Sequence, residues 1–356
     1  MSTDVIDILK MARPSVRNLK PYASAKDEFK DFDKELIFLD ANENPYETGL
    51  NRYPDPHQKE LKERIAVLKQ VSSDHILLGN GSDEILDMIF RVFFEPEKDN
   101  IIINTPTFGM FKVLSDINAI SCRAVQMTTD FQLDVASIKK NIDAHTKAIF
   151  ICSPNNPTGN AMNEASILEL LKLPVLVIID EAYIDFSDTD SWSSRLKEFK
   201  NLIVSQTFSK AFGLAGIRLG ACFAHAEVID LLKKVKMPYN VNVLTQRTAL
   251  ESLADEKLIA QQVFEIKENR KKLVKSLSKI GFVKHIYPSD SNFLLVKVDN
   301  ANRRYDELVT KELVVRNRTK EPLCNNCLRI TVGTEEENKY LLKRMAQLDA
   351  IKNSDK

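Results

Sequence analysis

The stretch SQTFSKAFGLAGIRLG, residues 205–220, lies between two apolar runs of strand type, 202–204 and 217–223. Up to Arg218 it holds three hydroxyls (Ser205, Thr207, Ser209), one lysine (Lys210), two glycines (Gly213, Gly216) and one arginine (Arg218). A lysine that leaves a buried strand into a cleft is desolvated, which lowers its pKa and makes the neutral amine a nucleophile toward an aldehyde. Hydroxyls and an arginine nearby suit a phosphate. An aldehyde that carries a phosphate is pyridoxal phosphate, so the segment raises that cofactor as a hypothesis. The alternative is a lysine solvated on a surface loop. Gly213 and Gly216 are expected to let the backbone turn.

Working outward, every neighbouring strand-like run also ends in an unusual polar motif. The run 76–78 leads into GNGSDE (79–84), 101–103 into TPTFGM (105–110), 148–152 into SPNNPTG (153–159) and 175–179 into DEAY (180–183). Short β-branched runs separated by helical stretches predict a largely parallel sheet covered on both faces. Ligands of such sheets sit beyond the carboxyl ends of the strands, where all these motifs fall. After GNGSDE, Ile85, Met88, Ile89 and Val92 recur at helical spacing. Gly79 and Gly81 allow a tight turn, Ser82 or Asp83 is expected to cap the helix, and its exposed amides would bind an anion.

Residues 41–56 form a polar loop with prolines at 45, 54 and 56. Residues 246–280 read as one long helical region leading into a second unit, with strands at 291–298 and 328–332 and helices at 302–308 and 336–348. The expected division is an N-terminal segment, 1–40, packing with a small α+β domain, 246–356, and a large domain, 41–245.

Composition excludes several classes. The 356 residues carry fifty basic and fifty acidic side chains, so no basic excess calls for a nucleic acid or an anionic membrane. No apolar run reaches membrane-spanning length and no signal-peptide core opens the chain. Five scattered cysteines suggest reduced thiols in a cytoplasm-like compartment. Cys324 and Cys327 form a lone C-x-x-C without the second pair a zinc site would want, so no metal is expected. The chain contains neither G-x-x-x-x-G-K-[ST] nor G-x-G-x-x-G, which disfavours P-loop and Rossmann nucleotide enzymes although an apolar run ends in Asp-Glu.

The remaining candidates fit a flat, charged cofactor. Asp180 emerges at the end of an apolar run, where an ionised acid could pair with a protonated pyridine nitrogen. Tyr183 and Asn156 could hydrogen-bond a phenolate-like oxygen. Phe108 could stack on a ring, or else belong to the core. Arg329, flanked by Leu328 and Ile330, and Arg316 could bind a carboxylate or phosphate as planar forks. The competing reading of Arg316 is a solvated basic edge shared with Arg318 and Lys320.

Taken together, NENP (42–45), RYPDP (52–56), GNGSDE, PTFGM (106–110), SPNNPTG, DEAY, SKAFGLAGIRLG (209–220) and LRITVG (328–333) resemble the fold-type-I pyridoxal-phosphate aminotransferases over essentially the whole chain. RNLKPY (17–22), NENP, RYPDP and the arginines at 316 and 329 resemble most the histidinol-phosphate aminotransferase family. The resemblance implies a large domain with a mostly parallel seven-stranded sheet plus a small α+β domain. It implies a homodimer with shared active sites, cytoplasmic, acting in histidine biosynthesis without nucleic acid or membrane. The implied reaction is L-histidinol phosphate plus 2-oxoglutarate giving imidazole-acetol phosphate plus glutamate. An aromatic or broad-range aminotransferase, or a threonine-phosphate decarboxylase of the same fold, is the alternative. By the same resemblance Lys210 holds the cofactor and moves the substrate proton, Asp180 faces the pyridine nitrogen, and Tyr183 and Asn156 face the phenolic oxygen. Phe108 stacks on the ring, where family members often carry tyrosine. Ser82, Asp83, Thr207, Ser209 and Arg218 hold the cofactor phosphate, with Tyr53 reaching that of the neighbouring subunit. Tyr22, Asn42, Asn156, Arg316 and Arg329 bind substrate.

Overall fold

The structure, a computed structural model, describes residues 6–21 and 37–354. Its centre is a seven-stranded sheet ordered β1-β7-β6-β5-β4-β2-β3. The strands are β1 (Ile76–Asn80), β2 (Asn100–Thr105), β3 (Ser121–Gln126), β4 (Thr146–Cys152), β5 (Leu176–Asp180), β6 (Leu202–Thr207) and β7 (Leu219–Ala224). All neighbours pair in parallel except β7, which runs antiparallel to both β1 and β6. The mostly parallel α/β sheet expected from the sequence is therefore present.

Successive residues of the central strands enter opposite cores, as the two-residue period of a strand requires. Ile149, Ile151, Val177, Ile179 and Val204 join one apolar cluster. Phe150, Ile178 and Ile203 join the other, where Phe150 packs 5.3 Å from Phe90 of the helix Gly81–Phe93. Burial on both faces explains why these strands read as unbroken apolar runs.

Four more strands, β8 (Val283–Ile286), β9 (Phe293–Val298), β10 (Arg316–Asn317) and β11 (Cys327–Thr331), form an antiparallel sheet in the order β10-β11-β9-β8. The helices Glu256–Leu277, Ala301–Val309 and Glu335–Ser354 accompany it, over a separate core that includes Leu273, Leu294, Val296, Leu328 and Met345.

Residues 246–280 are not one helix. The chain forms Val243–Leu253 and Glu256–Leu277, interrupted at Asp255, whose carboxylate caps the second helix by accepting from the Leu258 amide. No glycine or proline marks the break, so the sequence conceals it. Strand β3 was not expected either. It is an edge strand with only Val125 buried, so its sequence lacks an apolar run.

Candidate active site

Because β7 runs against its neighbours, its first residue lies at the same rim as the carboxyl ends of β1, β2, β4, β5 and β6. The loops leaving that rim, with the 316–329 edge of the small sheet, enclose a cavity of about 470 Å³. It is lined by Ser82, Asp83, Phe108, Asn156, Asp180, Tyr183, Thr207, Ser209, Lys210, Arg218, Arg316 and Arg329, together with Thr107, Cys152, Arg318 and Glu321. Depressions of about 520 Å³ and 640 Å³ occur elsewhere, so chemistry rather than size marks this one.

One end is built for an anion. Arg218 adopts a left-handed backbone (φ 55°), and its carbonyl accepts from the Gly81 amide at 2.9 Å. Gly220 permits this approach: a Cβ there would lie 2.3 Å from the Gly81 carbonyl carbon and 2.4 Å from the Ser82 nitrogen. The start of the helix Gly81–Phe93 is thus held against the arginine. Neither Ser82 nor Asp83 caps this helix, contrary to expectation. Asn80 occupies the cap position without a side-chain cap bond, and the Glu84 carboxylate reaches back to the Asn80 amide at 2.6 Å. The first-turn amides therefore remain available to an anion. Arg218 Nη1 donates to Ser209 Oγ (3.3 Å) and Nη2 to Asp83 Oδ2 (3.4 Å), while the Ser209 amide donates to Thr207 Oγ1 (3.2 Å). Ser205 lies outside this group, wholly buried in β6. Of the two glycines expected to turn, Gly213 has φ +68°; Gly216 lies in a short 3-10 helix, and the second left-handed position is Arg218 itself.

Two aromatic side chains, Phe108 and Tyr183, line the cavity beside Asn156. Phe108 is half-buried and meets Phe111 edge-on at 5.7 Å. Thr107 Oγ1 donates to Asn155 Oδ1 (3.0 Å) and Asn155 Nδ2 to the Pro106 carbonyl (2.9 Å), tying the Phe108 loop to the Asn156 loop. Asn156 Oδ1 accepts from Arg329 Nη1, which leaves its amide nitrogen as a donor. Tyr183 sits edge-on against Phe293 at 5.1 Å, and burial pushes its phenol above the ordinary range.

Asp180 is 2% exposed and pairs in register with Cys152 on one side and Ser205 on the other. Burial pushes its carboxyl up to about 7, against the pull of the Ala182 amide and more weakly of Lys210. Lys210 opens into the cavity, with Nζ 5.9 Å from the Tyr183 ring centre. Desolvation, then the charges of Arg329 and Arg218, pushes its ammonium below the usual lysine range.

The donor set fits the cofactor expected from the sequence. It combines an anion cradle, a lysine of depressed basicity, and a buried carboxyl that a pyridinium would ionise.

Two expected residues are not gathered here. Asn42 and Tyr53 line a separate surface depression, where Tyr53 stacks on Tyr239 at 4.5 Å. Tyr22 lies outside the described residues. Arg318, read from sequence as part of a basic edge, does line the cavity. The signal available was its spacing of two from Arg316, which puts both on one face of a strand.

Asp180 predicts a pH dependence of stability. It binds its proton more tightly in the folded chain (about 7) than at its ordinary value of 3.8, as does Glu181 beside it, raised by burial from 4.5 to about 7. The folded state therefore holds more protons than the unfolded one between these values, and stability falls as pH rises through that window. Carboxylates with lowered pKa, such as Asp143, have already contributed fully above pH 4. Urea midpoints of the cofactor-free protein should fall from pH 5 to 7.5, and Asp180→Asn should flatten the slope. An unaltered slope in the variant would remove Asp180 from this account.

Comparison with known proteins agrees with the site. The family "Aminotransferase class I and II" matches residues 28–345. The chain is 56% identical over 345 residues to a histidinol-phosphate aminotransferase of Christiangramia forsetii, covering 96% of this chain and 98% of that one. It is 53% identical over 348 residues to that of Flavobacterium johnsoniae, covering 97% and 100%. Among solved structures, the histidinol-phosphate aminotransferase of Clostridium acetobutylicum superposes with a TM-score of 0.78 at 26% identity, over 85% of this chain and 92% of that one. With the cavity of Lys210 at its centre, the chain belongs to the class I and II aminotransferases, within the histidinol-phosphate aminotransferase family.

Proposed function

We propose that this chain transfers the amino group of L-histidinol phosphate to 2-oxoglutarate, using pyridoxal phosphate held by Lys210. The observation that carries the reading is the cross-strand pair Arg316 and Arg329, aligned in register and lining the same cavity as Lys210. Like charges set directly opposite one another destabilise a sheet unless an anion is received between them. Neither has a carboxylate ion-pair partner among the described residues; Arg329 donates to Asn156 instead.

The cofactor, when bound, supplies an electron sink for the bond broken at the substrate carbon. The protein's own groups supply the rest. Lys210, its basicity depressed, takes the proton from the substrate carbon and returns one on the cofactor side. Asp180 ionises against the pyridinium and keeps it protonated. Arg218, Ser209, Thr207 and the amides of Ser82 and Asp83 anchor the cofactor phosphate, while Phe108 covers the ring and Tyr183 and Asn156 orient its phenolic oxygen. Arg316 and Arg329 take the phosphate of the donor, Arg329 the carboxylate of glutamate, with Tyr22 closing the substrate side; Asn42, in the separate depression of Tyr53, is not part of this set.

A homodimer completes this reading, with Tyr53 reaching the neighbour's cofactor phosphate. The segment that carries Tyr53 exposes Ile37, Leu39, Tyr46 and Leu50, which supports a covered surface there. A cytoplasmic location belongs to the same proposal, as does a division near residue 245, but the described part of segment 1–40 packs with the large domain and not the small one: Ile8, Ala12 and Val16 join the core of Phe90 and Phe150. No described helix is long and apolar enough to cross a membrane.

The test is a half-reaction assay of the cofactor-loaded protein against histidinol phosphate, phenylalanine, tyrosine, aspartate and threonine phosphate. Arg316→Ala is expected to raise KM for histidinol phosphate about 10- to 100-fold, the worth of a charge-assisted contact, and that for glutamate much less. Equal losses for both would refute the substrate assignment.

A further inference from the structure

The cavity carries more positive charge than a carboxylate needs. Its lining includes five cationic side chains (Lys210, Arg218, Arg316, Arg318, Arg329) and three acids (Asp83, Asp180, Glu321), and burial raises Asp180 to about 7, so that its charge is only partly developed at neutral pH. Arg316 pairs with Arg329 and Asn317 with Leu328, and the Arg318 amide continues the ladder by donating to the Cys327 carbonyl at 2.9 Å. Alternation then separates the side chains. Asn317 donates to Asn302 of the helix Ala301–Val309 and Leu328 enters the small core, whereas Arg316, Arg318 and Arg329 face the cavity together.

Arg318 is held in an unfinished state. A turn, closed by the Glu321 amide donating to the Arg318 carbonyl at 2.9 Å, folds the Glu321 carboxylate back to 3.5 Å from Arg318 Nη1. Arg318 Nε is buried without a hydrogen-bond partner among the described residues. A buried donor left unpaired is costly, and the cost is recovered when an acceptor arrives. The charge of Arg318 also pushes the Arg329 guanidinium down, after desolvation, so the two sense each other across the site.

We propose that Arg318 is a specificity-determining residue that receives an oxygen of the donor's phosphate monoester, with Glu321 as its counter-ion while the site waits for substrate. A phosphate monoester carries up to two negative charges and three acceptor oxygens, with its second pKa near 6. The carboxylate of glutamate brings one charge and two oxygens, which the Arg329 fork satisfies. Arg318 thus tips the shared site toward the phosphate without excluding the carboxylate. The inference rests on histidinol phosphate being the amino donor.

Single-turnover half-reactions of the cofactor-loaded enzyme test it. Arg318→Gln is expected to raise the half-saturating histidinol phosphate concentration about tenfold or more, and that for glutamate no more than about threefold, with maximal rates nearly held. Arg318→Lys, which keeps the charge but loses Nε, should fall between. Glu321→Gln, which removes the competing carboxylate, should tighten histidinol phosphate a few-fold. In the wild type, binding should strengthen as the phosphate ionises across pH 6, and that change should shrink in Arg318→Gln. Equal effects on both half-reactions, or none on either, would overturn the proposal. Should the wild type not react with histidinol phosphate, the substrate reading fails instead. Inorganic phosphate as an inhibitor of the glutamate half-reaction then judges Arg318 separately: an unchanged inhibition constant in Arg318→Gln overturns it, and a raised one supports it.

Discussion

Lys210→Ala is expected to lower turnover by on the order of 10⁴-fold or more, since one side chain serves as both the covalent anchor and the proton carrier. The visible absorbance that pyridoxal phosphate acquires on binding through a lysine should vanish. The rest of the phosphate cradle, Arg218, Ser209 and the helix start, is unchanged, so the cofactor should still bind non-covalently and be retained on gel filtration. A small primary amine added in solution can enter a cavity of about 470 Å³ and should restore part of the rate, because what is lost is a base and not the fold. A Lys210→Ala variant with wild-type turnover would sink the mechanism, whatever its substrate.

Asp180→Asn is the second large effect. Among the described residues no cationic side chain bonds the carboxyl; it accepts from the Ala182 amide, and burial raises it to about 7 without cofactor. A protonated pyridine nitrogen opposite it would reverse that balance, drawing the carboxyl to its ionised form. Asparagine keeps the shape but removes the charge, so turnover should fall about 10²- to 10³-fold, a loss typical of a preorganised electrostatic partner. The cofactor's own ring-nitrogen pKa should fall with it, which a spectral titration reads without any turnover. If that titration were the same in wild type and variant, Asp180 would not be the nitrogen's partner.

Both residues were legible because chemistry and periodicity coincide at strand ends. Asp180 and Lys210 follow apolar runs whose burial the sequence displays, and only a parallel sheet brings such ends to one rim. The small sheet was harder to read. Strand β10 is two residues long and held by the β11 ladder, so the spacing of two between Arg316 and Arg318 was the one local hint, with no apolar run around it to mark a strand. Edge strand β3 and the break at Asp255 were hidden because neither carries its usual mark: one has a single buried side chain, and the other has no glycine or proline. The cap expected at Ser82 or Asp83 went to Asn80 because Arg218, far along the chain, holds the Gly81 amide.

Residue identity and spacing along 205–220 raised a phosphate, an aldehyde and the lysine between them, and the other strand-end motifs decided for them, since those depend on chemical type and on which residues leave a buried strand. Which arginines face one another, which glycine must lack a side chain, and how strongly Asp180 holds its proton depend on neighbours distant in sequence. The antiparallel turn of β7 makes the difference concrete. It carries Gly220 against the backbone of Gly81 and Ser82, and so places Arg218 at the helix start, a contact fixed by closest approach in space that no local pattern encodes.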